Sequence, residues 1–242
     1  MGVYVGTSGW SYEHWKGVFY PPTVRPPQRL RYYAERFDTV ELNTSFYRWP
    51  PVASFLAWRD QLPPDFQLTV KASRWLTHGR RLKDPDIWLG RMAPALQELG
   101  DRRGPLLVQL RPDHARDDAR LEGFLERVPP WLRVAVEFRH PSWHTEEVFA
   151  LLERYAAAYC VMSGADLPCV PRVTAPFAYV RLHGPDPGQL YGGSYSDAQL
   201  AGWADRIREW EADGRDVFAY FNNDGHGYAV HNAARLKQLL GR

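Results

Sequence analysis

The chain has 242 residues, 45% of them hydrophobic, so it can bury a sizeable core in one large domain or two small ones. Thirty Lys and Arg residues against 28 Asp and Glu residues exclude a strong overall field of the kind that steers proteins onto nucleic acid or membranes. Two cysteines are too few for a disulfide framework, and no signal-peptide pattern or run of eighteen apolar residues occurs. We therefore expect a cytoplasmic protein without membrane association, in which any anion site is local.

Eight short β-type runs, each bounded by turn-forming residues, follow one another along the chain. They cover residues 3–7, 39–43, 66–71, 105–110, 133–138, 158–162, 177–183 and 216–222. Helical patterns lie over residues 54–62, 86–99, 119–128, 146–156, 196–213 and 233–240. The helix at Ser196 begins with a capping box completed by Gln199. Strands that alternate with helical crossovers pair in parallel, and no linker divides the chain, so we predict one α/β domain over residues 1–242, a TIM-type (β/α)8 barrel.

Five of these strands place apolar residues on one face and mostly polar residues on the other. In the fifth strand, for example, Val134 and Val136 alternate with Ala135 and Glu137. In a barrel the apolar face packs on the helices and the other face lines the lumen. The lumen is therefore expected to become polar toward the C-terminal ends of the strands, where it would gather Glu41, Asn43, Lys71, Gln109, Glu137, Arg139, Arg181, His183 and Asn222.

These polar residues point to a functional site, because the active sites of such barrels lie at that end. His183 is the candidate general acid/base, and Glu41 and Glu137 are candidate catalytic carboxylates. Lys71 and Arg181 would supply charge for an anionic ligand. The alternative is an ion-pair network of the two carboxylates with Lys71 and Arg181 that only stabilises the lumen.

Two glycine-rich loops, residues 183–196 and 222–228, follow the seventh and eighth strands, where many TIM barrels bind phosphate. The loop amides, Tyr195 and Asn223 are therefore expected to contact the ligand together with Asn222 and the charged residues. In the first loop, Trp10 would supply an aromatic wall.

Three further interpretations remain open: a glycosidase, a nucleic-acid-binding protein and a metal site. The carboxylate pair and the many aromatic residues fit a glycosidase, provided that the carboxyl groups lie about 5 to 9.5 Å apart. Residues 71–84 combine basic residues with Trp75, a composition suited to nucleic acid, although such runs are more often solvated loops.

Metal ligation has weak support in the sequence. His140 and His144 are separated by Pro141, which argues against a helical zinc pair. Glu137 and His183 could join a third carboxylate, Asp166, around Mg²⁺ or Mn²⁺. We assign no metal ligands and leave the cofactor unassigned.

Several segments resemble the signatures of the YecE-like family, domain of unknown function 72. They are residues 6–22, 40–51, 70–78, 106–112, 136–144, 179–184 with 191–196, and 219–224, in order along nearly the whole chain. The resemblance implies a TIM-type barrel but no established reaction, and by fold the family is similar to the metal-using xylose-isomerase and AP-endonuclease barrels. One departure from the family pattern, LRPDHARDD, places Arg111 near the mouth.

The sequence thus predicts an enzyme of hydrolase or lyase type. Its ligand would be an anionic small molecule or nucleic-acid derivative, bound at the C-terminal mouth of the barrel. The alternatives are a non-catalytic protein that binds nucleic acid or another ligand, and a glycosidase. The sequence assigns no protein partner.

Overall fold

The computed structural model describes residues 2–242 and contains eight parallel strands around one lumen. They are β1 (Val3–Thr7), β2 (Thr39–Leu42), β3 (Gln67–Lys71), β4 (Arg103–Gln109), β5 (Val134–Glu137), β6 (Ala158–Ser163), β7 (Phe177–Leu182) and β8 (Asp216–Phe221). Each strand pairs with its neighbours in chain order, and β8 pairs with β1. The ring closes between β1 and β2 through a parallel bridge of Ser8 with Glu41. The predicted TIM-type barrel is therefore confirmed.

Helices connect most of the strands on the outside of this ring. They are α1 (Arg29–Ala34), α2 (Thr44–Tyr47), α3 (Val52–Arg59), α4 (Pro85–Gln97), α5 (Asp118–Leu125), α6 (Glu146–Arg154), α7 (Asp197–Ala212) and α8 (Tyr228–Leu239). The capping box of Ser196 and Gln199 begins α7, as expected. The sequence pattern missed α1 and α2, which are too short to show an apolar period. Within residues 2–242, no helix has both the length and the apolar character that crossing a bilayer requires.

The alternation of the strands sorts the core into two layers. Val134 and Val136 of β5 belong to the large outer core between strands and helices, whereas Ala135 belongs to the lumen cluster. Tyr220 of β8 occupies the middle of the lumen, where its hydroxyl lies 2.7 Å from Thr39 Oγ1 and 2.6 Å from Thr69 Oγ1. The predicted assignment of faces is confirmed, since apolar residues face the helices and the lumen carries the polar ones.

Several strands end earlier than the sequence pattern indicated. Asn43, His183 and Asn222 each lie one residue beyond their strand, and Arg139 lies two residues beyond β5. These four residues occupy the start of the loops at the C-terminal mouth, directly above the last inward-facing strand residues.

Candidate functional site

A single guanidinium, that of Arg181, joins the two predicted catalytic carboxylates. Its Nη2 and Nε donate to Glu41 Oε1 and Oε2 at 2.7 and 3.0 Å, and its Nη1 donates to Glu137 Oε2 at 2.7 Å. All three side chains are 1% exposed or less. The polar lumen residues of β2, β5 and β7 therefore converge, as the sequence predicted, but they form a closed network rather than an open cleft.

The Glu41 carboxylate has every lone pair engaged. Besides Arg181, it accepts a hydrogen bond from the Ser8 hydroxyl at 2.7 Å and another from the Tyr179 hydroxyl at 2.6 Å. Sequence analysis did not select these two partners, although Tyr179 shares the lumen face of β7 with Arg181. This saturated coordination makes Glu41 a fixed counter-ion.

The Glu137 carboxylate is held by three side chains, which come from β4, from the loop after β5 and from β7. It accepts hydrogen bonds from Gln109 Nε2, at 2.6 Å, and from Arg181 Nη1, and it forms an ion pair with Arg139 Nε. Burial alone would raise the pKa of this carboxyl, but the guanidinium groups of Arg139 and Arg181 outweigh burial and hold the pKa well below its ordinary range. Glu137 is therefore ionised at any pH near neutrality.

The imidazole of His183 is completely buried and lies between Arg139 and Asn222. Arg139 Nη2 lies 3.3 Å from Nε2, and the Asn222 amide lies 3.2 Å from Nδ1. Burial and the nearby guanidinium groups lower the pKa of His183 well below its ordinary value, despite the Glu137 carboxylate. The ring is therefore neutral, and because a guanidinium only donates, Nε2 accepts the hydrogen bond from Arg139.

Lys71, the last residue of β3, differs from the other cations of the mouth. Within residues 2–242, no carboxylate oxygen lies within 4.0 Å of its Nζ, which instead sits 4.4 Å from the centre of the Phe46 ring. Burial and the Arg181 guanidinium lower the pKa of Lys71 to about 8, although Glu137 and Glu41 act in the opposite direction. The ion-pair network thus contains Arg181 but leaves Lys71 out.

Charge and exposure together identify the accessible part of the site. Two carboxylates, Glu41 and Glu137, face three cations, Arg139, Arg181 and Lys71, so one positive charge is in excess. The residues that remain partly exposed above the network are Asn43, Lys71, Gln109, Arg139 and Asn222, although the Arg139 side chain itself is only 7% exposed. A ligand at the mouth would therefore meet Lys71 and amide groups first.

Two of the predicted ligand-binding residues instead connect loops. The Tyr195 hydroxyl accepts from the Gly184 amide at 3.0 Å and donates to Ser163 Oγ at 3.2 Å, and the ring is buried. Asn223 Nδ2 donates to Gly193 O and to Asn232 Oδ1, both at 2.9 Å. These hydrogen bonds connect the glycine-rich loop after β7 to the end of β6, to the loop after β8 and to α8, and they stabilise the edge of the mouth.

The loop after β8 already carries an anion of its own. The Asp224 carboxylate accepts from Trp15 Nε1 at 2.6 Å and lies 3.1 Å from His14 Nε2. Burial raises the pKa of Asp224 to about 6. An acidic side chain here favours the β3 side of the mouth, around Lys71, for an anionic ligand.

Arg111, the departure from the family pattern, is not directed toward the network. Its Nε and Nη2 donate to the Asp113 carboxylate at 2.6 and 2.9 Å within the same loop. A second guanidinium, from Arg81, binds the same carboxylate at 3.1 Å. Arg111 therefore belongs to an exposed loop ion pair.

The metal and glycosidase alternatives fit the geometry poorly. Among residues 2–242, no group of three or more His, Cys, Asp and Glu side chains could hold a metal ion. Glu137 and His183 face guanidinium groups, and Asp166 is exposed on another loop. Since Arg181 lies between Glu41 and Glu137, it occupies the space that a glycosidic bond would need.

The basic segment after β3 forms an exposed aromatic surface. The rings of Trp75 and Trp88 are nearly parallel, at 10°, with centroids 6.5 Å apart, and Trp75 is 53% exposed. The guanidinium of Arg74 lies 5.7 Å from the Trp75 ring, and that of Arg91 lies 4.8 Å from the Trp88 ring. We call these four residues the tryptophan surface.

Comparison with known proteins supports the predicted resemblance. Residues 4–242 match the family model described as "Protein of unknown function DUF72". The chain belongs to the DUF72 family. No activity is attached to that description, so membership fixes the fold and leaves the reaction open.

Relatives of this DUF72 protein span different bacteria. UPF0759 protein YunF of Bacillus subtilis is 26% identical over 98% of this chain and 94% of its own length. UPF0759 protein YecE of Escherichia coli K12 is 28% identical over 58% of this chain and 50% of its own length. A crystal structure of a DUF72 family protein from Thermotoga maritima is 31% identical, covers 100% of both chains and superposes with a TM-score of 0.84.

Proposed function

We propose that the protein binds a phosphate- or carboxylate-bearing ligand at the C-terminal mouth, anchored by Lys71, and acts on it by acid/base chemistry of hydrolase or lyase type. The observation that carries the proposal is the Lys71 ammonium, which has no carboxylate within 4.0 Å among residues 2–242. A cation that is partly removed from water and has no counter-ion nearby is costly, and a ligand anion would lower that cost.

The charge balance of the buried network also supports anion binding at the mouth. Arg181 and Arg139 neutralise Glu41 and Glu137, so neither carboxylate repels an incoming anion at short range. The mouth consequently has one positive charge in excess, in surroundings where burial strengthens electrostatic attraction. Gln109 and Asn222, partly exposed above the network, can add hydrogen bonds to the ligand.

Lys71 is also the best placed group for proton transfer. Since its pKa is about 8, part of the Lys71 population is a neutral amine at physiological pH and can accept a proton. His183 was the predicted acid/base group, but its ring is buried and engaged on both nitrogens. We therefore assign His183 to holding Arg139 and Asn222, and Lys71 to the chemistry.

Calorimetric titration with sulfate at pH 7 tests the binding step. Lys71→Met should weaken sulfate binding by at least about 10-fold, whereas Lys71→Arg keeps the charge and should keep most of the affinity. Lys83→Met, which removes an exposed lysine, is the matched control. Equal affinity of the wild type and Lys71→Met would contradict the proposal.

Turnover separates catalysis from binding alone. With p-nitrophenyl phosphate as the hydrolase probe, Lys71→Arg should lose turnover because a guanidinium does not release its proton near neutrality. A variant that retains both binding and full turnover would show that Lys71 binds the anion without exchanging a proton.

The tryptophan surface favours a second candidate function, binding of single-stranded nucleic acid. Aromatic faces flanked by guanidinium groups stack bases and contact phosphates. Within residues 2–242, neither Arg74 nor Arg91 has a carboxylate within 4.0 Å, so both charges are free for phosphate. An oligonucleotide should bind with an affinity that falls steeply with salt and drops in Trp75→Ala. Salt-independent binding, or none, would exclude this function.

A further inference from the structure

A small cavity lies beside the charged network, between the loops that follow β1 and β2. Its volume is about 120 Å³, and it is lined by residues 9–12, residues 42–44 and Trp58 of α3. Trp10 and Trp58 meet edge to face at 82°, with ring centroids 5.7 Å apart. Aromatic rings and Leu42 make the walls predominantly apolar.

The walls of this cavity are held firmly. The Tyr12 hydroxyl donates to the Ser8 carbonyl at 2.6 Å, and Trp58 packs on the buried Phe55 ring at 5.2 Å between centroids. Gly9 has a φ of +88°, and a Cβ there would lie only 2.4 Å from the Tyr12 hydroxyl oxygen. A preformed cavity of this kind binds a ligand without first paying to order its walls.

Among residues 2–242, the Asn43 side-chain oxygen has no hydrogen-bond partner. This oxygen, Oδ1, is buried, and neither atom of the amide bonds to another described residue. Although Asn43 occupies the N-cap position of α2, its side chain makes no capping bond. An unsatisfied buried acceptor costs about 1 to 3 kcal/mol, so a ligand that donates to Oδ1 would recover this energy.

The size of the cavity limits what can enter it. Sites for whole small molecules occupy about 300 to 1,000 Å³, so a cavity of about 120 Å³ takes one ring and leaves the rest of the ligand outside. Flat aromatic walls select a ring with apolar faces, and Asn43 selects one with an N–H or O–H donor at its edge.

Strand pairing connects this cavity to Lys71. Leu42 is paired with Val70 in the β2–β3 ladder, so the next residues, Asn43 and Lys71, stand side by side at the ends of neighbouring strands. Neighbouring strands are about 4.8 Å apart. One ligand can therefore reach both the amide and the ammonium.

We infer that the Trp10, Tyr12, Asn43 and Trp58 cavity binds the ring of a ring-bearing anion, with a donor of the ring on Asn43 Oδ1 and its phosphate or carboxylate at Lys71. The anionic half of this inference rests on the proposed function, whereas the ring half stands on the cavity itself. Pyranose and nucleobase rings share the required chemistry.

Titration calorimetry with five probes tests the inference. The probes are inorganic phosphate, glucose 6-phosphate, uridine 5′-monophosphate, and the uncharged glucose and uridine. One of the two ring-bearing phosphates should bind at least about 10-fold more tightly than inorganic phosphate, and the better of the two identifies the ring as sugar or base. Asn43→Leu should abolish that advantage and leave the affinity for inorganic phosphate within about 2-fold. Gln97→Leu, an exposed amide on α4, is the control.

Thermal unfolding of the same variant separates a binding role from a structural one. Because the Asn43 amide makes no hydrogen bond to the part of the chain that the structure describes, Asn43→Leu should leave the Tm unchanged or raise it. The inference is overturned if no ring-bearing probe exceeds inorganic phosphate, or if Asn43→Leu keeps the preference. Uridine or glucose binding that Asn43→Leu removes, without any effect of Lys71→Met on the phosphates, would refute the proposed function and support the cavity.

Discussion

Substitution of Arg181 by leucine perturbs the buried network at its centre. Glu41 loses the Arg181 guanidinium, its ion-pair partner, and keeps the neutral donors Ser8 and Tyr179, whereas Glu137 retains Arg139. Removing one partner of a buried ion pair costs about 3 to 5 kcal/mol. A protein of this size changes its Tm by about 2 to 4 °C per kcal/mol, so the Tm should fall by about 6 to 20 °C.

Differential scanning fluorimetry and urea unfolding measure this loss. In the double variant Glu41→Gln/Arg181→Leu the unpaired charge is removed, and most of the lost stability should return. Arg235→Leu, which removes an exposed pair with Asp197, should change the Tm little. An unaltered Tm in Arg181→Leu would refute the stabilising role of the network.

Three other expectations follow from the same geometry. Sulfate stays fully charged between pH 6 and 9, so any change in its affinity reports the charge of the protein. Because Lys71 loses its proton with a pKa of about 8, sulfate affinity should be constant from pH 6 to 7 and about 10-fold weaker at pH 9. Titrations of Lys71→Arg should show no such decline. The imidazole nitrogen signals of His183 should stay constant in NMR spectra between about pH 5 and 8, because its pKa lies well below the ordinary value, and a titration within that range would contradict the assigned neutral ring. Tyr220→Phe should lower the Tm by about 2 to 12 °C in thermal unfolding, since the buried Thr69 hydroxyl loses its partner while Thr39 Oγ1 keeps the Gln67 carbonyl, and an unchanged Tm would mean that Thr69 finds another partner.

The barrel and its polar mouth were accessible from the sequence because both depend on local periods. Parallel strands that alternate every two residues place Glu41, Glu137 and Arg181 on one face whatever the loops do. The residue phase would also have identified Tyr179, which lies two positions before Arg181 on the lumen face. The phase cannot show whether the mouth is open, because burial depends on how the loops pack above it.

The features of the site that the sequence did not predict depend on contacts made by loops and helices. Tyr195 and Asn223 were selected for their position in glycine-rich loops, but their partners come from distant segments of the chain, so the structure alone reveals them as loop connections. Trp58 lies on α3, and only the packing of that helix against Trp10 makes it a wall of the cavity. The ion-pair alternative paired Lys71 with the carboxylates of the lumen, and this pairing is wrong. Opposite charges on one strand face need not lie within ion-pair distance of each other.

The most direct test of the proposed anion site is anomalous diffraction from crystals grown with selenate. The account predicts a selenium peak at hydrogen-bonding distance, within about 3.5 Å, of Lys71 Nζ, and no such peak in crystals of Lys71→Met. Selenate bound only elsewhere on the protein, with none at Lys71, would contradict it.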